Sequence, residues 1–345
     1  MENLIEIVSK FEISEKIADV KPMGEGLIND TYKVFVAGSD KPKYVLQRIN
    51  NAIFQDVDML MDNINKVTTH LRKKGENTLQ FLPAKDKKLY YFDGSKYWRV
   101  MNFVPDSITY QAVTPEYSYI AGKSFGEFES LLSDMKEPLG EIIPDFHNIE
   151  FRLKQLRDAV AKDQVGRVKE VQYYLDEIFK REAQMTLGER LYREGKLPKR
   201  VCHCDTKVNN MLFDKDGKVL CIIDLDTVMP SFVFSDYGDF LRTAANTGLE
   251  DDPNLDNIDF NMEIYEAFTK GYLEGTKDFL LPIEKDSLTY AAMLFPYMQT
   301  VRFLADYING DTYYKIKYPE HNLVRTKAQW RLFERAEAKL SSLNF

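Results

Sequence analysis

The chain has 345 residues, 44% of them hydrophobic and 13% aromatic, so it can bury a substantial core, and its length favours two domains or lobes. A net charge of −8 and a pI of about 5.3, with no basic face, argue against a nucleic-acid or anionic-membrane partner. The opening residues mix acids among apolar ones and do not make a signal peptide. The longest uncharged apolar-rich run, Ser287 to Val301, contains Pro296 and is too short to span a bilayer. A cytoplasmic monomer is expected.

Taken in chain order, residues 3–19 show helical spacing at Leu4, Ile5, Ile7, Val8 and Phe11. Next comes Gly24-Glu25-Gly26-Leu27-Ile28-Asn29-Asp30-Thr31, which runs into an alternating strand to Val36. Two glycines one residue apart make a hairpin loop whose backbone amides can approach phosphates; taken alone, an ordinary glycine turn is the better reading, and the downstream Asp205–Asp224 constellation reverses that. A strand is expected at 43–50, a helix at about Asp56 to Lys74, and a hairpin with strands at 88–93 and 96–104 around Asp93-Gly94-Ser95. Pro105 closes a β-rich first lobe of residues 1–104. The remainder, 105–345, reads as mostly helical, with helices at 115–135, 149–163, 167–195, 261–275, 284–308 and 322–342 and another beginning near Phe234. There Asp236 either caps the helix or braces the preceding loop, and Asp239 and Arg242 are spaced to pair on the helix surface.

The informative stretch runs from His203 to Thr227. Asp205 precedes Asn210, a short apolar hairpin turns at Asp214-Lys215-Asp216-Gly217, and Asp224 follows. Such a hairpin can return Asp224 to the side of Asp205 and Asn210. That sets one carboxylate to meet a hydroxyl, and a carboxylate plus an amide oxygen to hold a divalent cation. Protein kinases use this arrangement, including a lysine two residues after the first aspartate, here Lys207. Gln47 stands where such kinases carry the lysine that meets the nucleotide phosphates, and the following helix has Asp56, Asp58 and Asp62 but no glutamate to pair with it. Arg48 or Lys207 are the candidate substitutes for the missing charge, although strand alternation turns Arg48 away from Gln47. Cys202-His203-Cys204 lacks zinc-site spacing and a second pair, and reads as buried thiols beside the loop.

The stretch resembles the aminoglycoside phosphotransferase and choline kinase superfamily, with its His-x-Asp-x4-Asn motif followed by a hydrophobic pair and Asp. It is more similar to the N-acetylhexosamine 1-kinases in GEGLINDTY (24–32), YVLQRIN (44–50), HCDTKVNNMLFD (203–214), IIDLDTVMP (222–230), DYGDFLR (236–242), RFLADYINGD (302–311) and KYPEHNLVRTKAQ (317–329). The resemblance implies an α+β, two-lobed kinase-like fold and an ATP- and Mg2+-dependent transfer to the anomeric hydroxyl of an N-acetylhexosamine. It makes Asp205 the catalytic base with Lys207 beside it, and Asn210 and Asp224 the metal ligands. Gly24, Gly26, Asn29, Thr31 and Gln47 serve the nucleotide. Thr227, Arg302 and Tyr313 are candidate sugar contacts; each also has a plain structural reading, as a turn, an anchor and a packing aromatic. Asparagine is expected where Cys204 stands. The alternatives are a kinase of another small alcohol, such as an amino alcohol, thioribose or an aminoglycoside, and a pseudokinase, which Gln47 favours and the intact Asp205, Asn210 and Asp224 oppose. An amino acceptor would call for an acidic pocket, for which the acids of 250–259 are available.

Overall fold

The computed structural model describes residues 3–24, 28–110 and 113–341. The chain divides into two compact units: residues 1–109, 134–144 and 209–229 form one, and residues 110–133, 145–208 and 230–345 the other. The units interleave in sequence, so the hairpin bearing Asn210 and Asp224 clusters with the N-terminal sheet, whereas Asp205 belongs to the helical unit.

The first unit is built on an antiparallel sheet. Strands β1 (Ile17–Pro22), β2 (Asp30–Val36), β3 (Pro42–Ile49), β4 (Phe81–Leu82), β5 (Tyr91–Phe92) and β6 (Tyr97–Asn102) lie in the order β1-β2-β3-β6-β4, with β5 on β6. Alternation puts Val34, Val36, Tyr44, Leu46, Trp98 and Val100 into one core cluster with Val8 and Phe11. The helix expected over 3–19 is only α1, Leu4–Val8. Phe11 leaves it to bridge Ala84, and Ile17 and Val20 join β1 on β2, so tertiary packing overrides the helical spacing. Helix α2 (Val57–Lys73) starts where Asp56 accepts the Met59 N–H at 2.8 Å. The register sets Thr31 opposite Gln47, and Gln47 opposite Arg99, forming one row across β2, β3 and β6.

The second unit is helical: α3 (Pro115–Leu132), α4 (Ile149–Lys162), α5 (Gln172–Met185), α6 (Leu187–Arg193), α7 (Val233–Ala244), α8 (Met262–Gly275), α9 (Pro282–Asp286), α10 (Leu288–Ile308) and α11 (His321–Leu340). The single helix expected over 167–195 is split at Thr186, whose hydroxyl bonds back to the Glu182 carbonyl at 2.9 Å; Gly188 then sits against the Phe234 ring, where a Cβ would collide. Helices α3 and α8 approach backbone to backbone: a Cβ on Gly122 would strike the Phe268 carbonyl, and one on Gly271 the Tyr119 carbonyl. Glycine in a helix interior costs about 1 kcal/mol against alanine, which this close packing offsets. No described helix is long and apolar enough to cross a membrane.

Candidate functional site

The hairpin strands Met211–Phe213 and Val219–Ile222 pair antiparallel, and the Ile223 N–H donates to the Asn210 carbonyl at 2.9 Å. This ties together the two residues that carry an amide oxygen and a carboxylate, Asn210 and Asp224. Asp224 stands in the left-handed region (φ 60°), from which Leu225–Thr227 form one tight turn. Asn210 is buried and Asp224 exposed. Thr227 is buried within that turn.

In the same unit, the residues assigned to the nucleotide bond to one another. The Gln47 amide donates to the Thr31 hydroxyl at 3.1 Å and accepts from the Arg99 Nε–H at 2.9 Å. Arg99 then meets Asp226, with Nη1 2.6 Å from Oδ1 and Nη2 3.0 Å from Oδ2. Asn29 donates to the same carboxylate at 2.7 Å, and its oxygen accepts the Asn50 N–H at 2.9 Å. The cation beside Gln47 is therefore Arg99. Arg48 forms an ion pair with Asp30 instead. Neither Arg99 nor Asp226 stood out in the sequence, because their partnership spans 127 positions. Gly24 has φ 68°, a conformation that suits glycine, with open space around its Cα; Gly26 lies outside the described residues.

The Asp205 loop is held from behind by α7. The Asp236 carboxylate accepts the N–H groups of His203 at 2.7 Å and Cys204 at 2.6 Å, and the Asp236 carbonyl accepts the Thr206 hydroxyl at 2.6 Å. Asp239 accepts the Thr206 N–H at 3.1 Å. Asp236 is thus a brace and not a cap. Asp239 and Arg242 do pair, at 3.7 Å, but buried, not on the surface. Cys204 has φ 63°, a left-handed conformation in which asparagine is among the favoured non-glycine residues, which fits the asparagine expected there. All three cysteines are buried, and burial pushes their thiols up in pKa. Asp205 stands 2.5 Å from the Lys207 ammonium. Burial opposes the charge on Lys207, yet the Asp205 and Asp239 carboxylates together raise its pKa. Burial also lifts Asp239 to about 6, against the pull of Arg242.

Arg302 lies near the rings of Phe146 and Tyr314, 6.0 Å and 5.7 Å from their centres, and donates to Gln299 at 3.2 Å. Tyr313 is 75% exposed and turns its edge to Tyr314, so the tyrosine adjoining Arg302 is Tyr314, a residue the sequence did not single out. The neighbouring Arg152 is depressed to about 10 by burial and by the Arg302 charge. Among the described residues neither guanidinium forms an ion pair. The turn carrying both tyrosines hangs on Asp306, which accepts the N–H groups of Thr312, Tyr313 and Tyr314 at 2.9, 2.8 and 3.0 Å and an Asn322 amide N–H at 2.8 Å.

The profile of the phosphotransferase enzyme family matches residues 19–278. Among solved structures, an aminoglycoside phosphotransferase from Alicyclobacillus acidocaldarius aligns with TM-score 0.65 at 16% identity, over 98% of this chain and 94% of that one. A microcompartment-associated aminopropanol kinase aligns with TM-score 0.61 at 14% identity, over 98% and 97%. A spectinomycin phosphotransferase in complex with ADP and spectinomycin aligns with TM-score 0.60 at 14% identity, over 99% and 98%. The fold is the kinase-like one expected, an α+β chain with a β-rich N-terminal region and a helical C-terminal region.

Proposed function

We propose that this chain, which belongs to the phosphotransferase enzyme family, phosphorylates the anomeric hydroxyl of an N-acetylhexosamine, using ATP and magnesium. Asn210 and Asp224 supply the hard oxygen donors that magnesium takes, so the residues fit the ion. When bound, magnesium neutralises charge on the phosphates. Asp205 orients the acceptor hydroxyl and takes its proton, and Lys207 places a cation beside it.

The observation that carries the choice of acceptor is the arginine cluster. Arg152 and Arg302 lie together, and His147 lies within the field of both and of Arg242, which pairs with Asp239. An ammonium-bearing acceptor is repelled by such a cluster. A neutral sugar offers hydroxyl and acetamido oxygens to the guanidinium donors and an apolar face to Phe146 and Tyr314. Apart from the exposed Asp256, the acids of 250–259 are already engaged. Glu250 pairs with Arg242 at 2.7 Å, Asp251 with His321 at 2.9 Å and Asp259 with Lys339 at 2.8 Å, while Asp252 accepts from Asn257 at 3.1 Å. That weighs against amino alcohols and aminoglycosides.

The test is an ADP-release assay over free sugars, their methyl glycosides and amino alcohols, with phosphorus NMR of the product. The expected result is turnover of a free N-acetylhexosamine, an inert methyl glycoside, and a phosphorus signal coupled to the anomeric proton. Phosphorylation of the methyl glycoside, or preferential turnover of an amino alcohol, overturns the sugar 1-kinase assignment.

A further inference from the structure

We propose that the buried ion pair of Arg99 and Asp226 is the positioning device that replaces the lysine–glutamate pair of protein kinases, fixing the Asp224 turn to the N-terminal sheet for use of the magnesium–nucleotide complex. The inference rests on the kinase reading above and on no choice of acceptor.

The row Thr31, Gln47, Arg99 explains the glutamine. Gln47 has to donate to Thr31 and accept from the Arg99 Nε–H at once. An amide does both, whereas an ammonium donates only and would place a second cation against Arg99. Held by its Nε, the guanidinium donates from Nη2 to Oδ2 of Asp226 and sets Nη1 in ion-pair contact with Oδ1, so both terminal nitrogens face the carboxylate. Lysine at position 99 could not make this fork.

Asp226 in turn gathers three parts of the unit. It receives the β6 guanidinium, it receives the Asn29 amide from the end of the Gly24 segment, and it lies in the tight turn that starts from Asp224. The same turn is tied a second time: Asn63 of α2 donates to the Val228 carbonyl at 3.0 Å and to the Gly140 carbonyl at 2.8 Å. With Asp226 and Val228 both anchored, the left-handed backbone of Asp224 has little freedom to re-aim its carboxylate. The pair is almost wholly buried, at 2% and 5% side-chain exposure. Removing two charges from water offsets most of what their attraction returns, so such a pair adds little net stability over apolar side chains of equal volume. Its value is directional.

That contrast supplies the experiment. The full chain is titrated with a fluorescent ATP analogue and magnesium, without acceptor, in parallel with thermal unfolding. The variants are Arg99→Met, Asp226→Leu, their combination, and Asn29→Ala. Either single change at the pair strands a buried charge and lowers the unfolding midpoint. The double change restores folding, yet binds the magnesium–nucleotide complex roughly 10- to 100-fold more weakly, the usual loss when a group that orients a metal ligand is removed. Asn29→Ala keeps the fold and shows a smaller loss of the same kind. Full nucleotide affinity in the double variant makes the pair structural only and overturns the proposal. Should the double variant fail to fold, unchanged affinity in Asn29→Ala overturns it instead. A product other than the sugar 1-phosphate leaves this result untouched, whereas failure of the unaltered chain to bind magnesium–nucleotide overturns both readings.

Discussion

Asp226 and Asp236 are both buried aspartates that hold a segment of the candidate site, one in each compact unit, and their charges are balanced by opposite means. Asp226 faces a guanidinium and a side-chain amide. Asp236 faces two backbone N–H groups and, on its other side, the buried carboxyl of Glu129. Glu129, Cys202 and Asp236 bring ligand-type atoms within 4.8 Å of one another. Burial, and then the Asp236 charge, pushes Glu129 well above the usual carboxylate range, which favours its protonated form and a proton shared toward Asp236. An aspartate held by a fixed cation suffers when that cation is removed. Burial raises the Asp236 carboxyl as well, against the pull of His203, the two N–H groups and the Glu129 carboxyl.

The largest effect is expected where the amide-held case is broken outright. Asp236→Ala leaves the His203 and Cys204 N–H groups buried without an acceptor, each costing about 1–3 kcal/mol. It also frees the left-handed Cys204 backbone next to Asp205. Loss of kcat by about 100-fold or more is expected, along with a clear drop in the urea midpoint. A variant with normal kcat shows that the loop keeps its shape without the brace.

Glu129 tests the second half of the comparison. Glu129→Gln keeps a donor toward Asp236 and an acceptor for the Tyr272 hydroxyl, and is expected to change stability by less than about 1 kcal/mol at neutral pH. Glu129→Leu loses both and is expected to cost about 2–3 kcal/mol. The folded chain holds the Glu129 proton more tightly than the unfolded one. The parent therefore loses stability as pH rises from the ordinary glutamate range to the raised one, a slope the Gln variant lacks. Infrared spectra of protein labelled at the glutamate carboxyls check the assignment, since a protonated carboxyl band absent from the parent at pH 7 removes its basis.

Asp306 extends the amide-held case to the tyrosine turn. Asp306→Ala releases three successive N–H groups and Asn322, so the acceptor KM is expected to rise about tenfold while the nucleotide affinity stays put. Equal changes in both show that Asp306 serves the whole fold and not the acceptor side.

What the sequence disclosed follows from the range of the interactions involved. The β3 strand, the turn at Gly94, the hairpin after Asn210 and the starts of α2, α3 and α4 rest on alternation, glycine and capping residues, all local, and they were legible. The spacing of Asp205, Asn210 and Asp224 was legible for the same reason, and Gln47 was visible as a departure from it. Arg99 was not, since a strand arginine looks like any other until the register sets it against Gln47. Glu129 read as one more polar residue on an amphipathic helix, although it is 1% exposed. Strand β1 was hidden because Leu4 to Phe11 has helical spacing and draws the eye past Ile17.

The last test sharpens the comparison at its midpoint. Asp239 accepts an amide, like Asp236, and pairs with an arginine, like Asp226. Neither partner wins: burial lifts its pKa from 3.8 to about 6, with Arg242 pulling the other way. The folded chain thus binds the Asp239 proton more tightly than the unfolded one. Its contribution to stability is complete below about 3.8 and falls as pH rises to about 6, by on the order of 3 kcal/mol, after which it is flat. Asp239→Asn keeps an oxygen for the Thr206 N–H and leaves Arg242 its partner Glu250. It removes the proton site together with the charge that Lys207 and Arg242 feel. Urea unfolding of parent and variant across this range is expected to show the parent losing ground to the variant between pH 4 and 6, and a constant difference above pH 7. Parallel curves throughout mean that Asp239 carries no raised proton site, which removes the intermediate case.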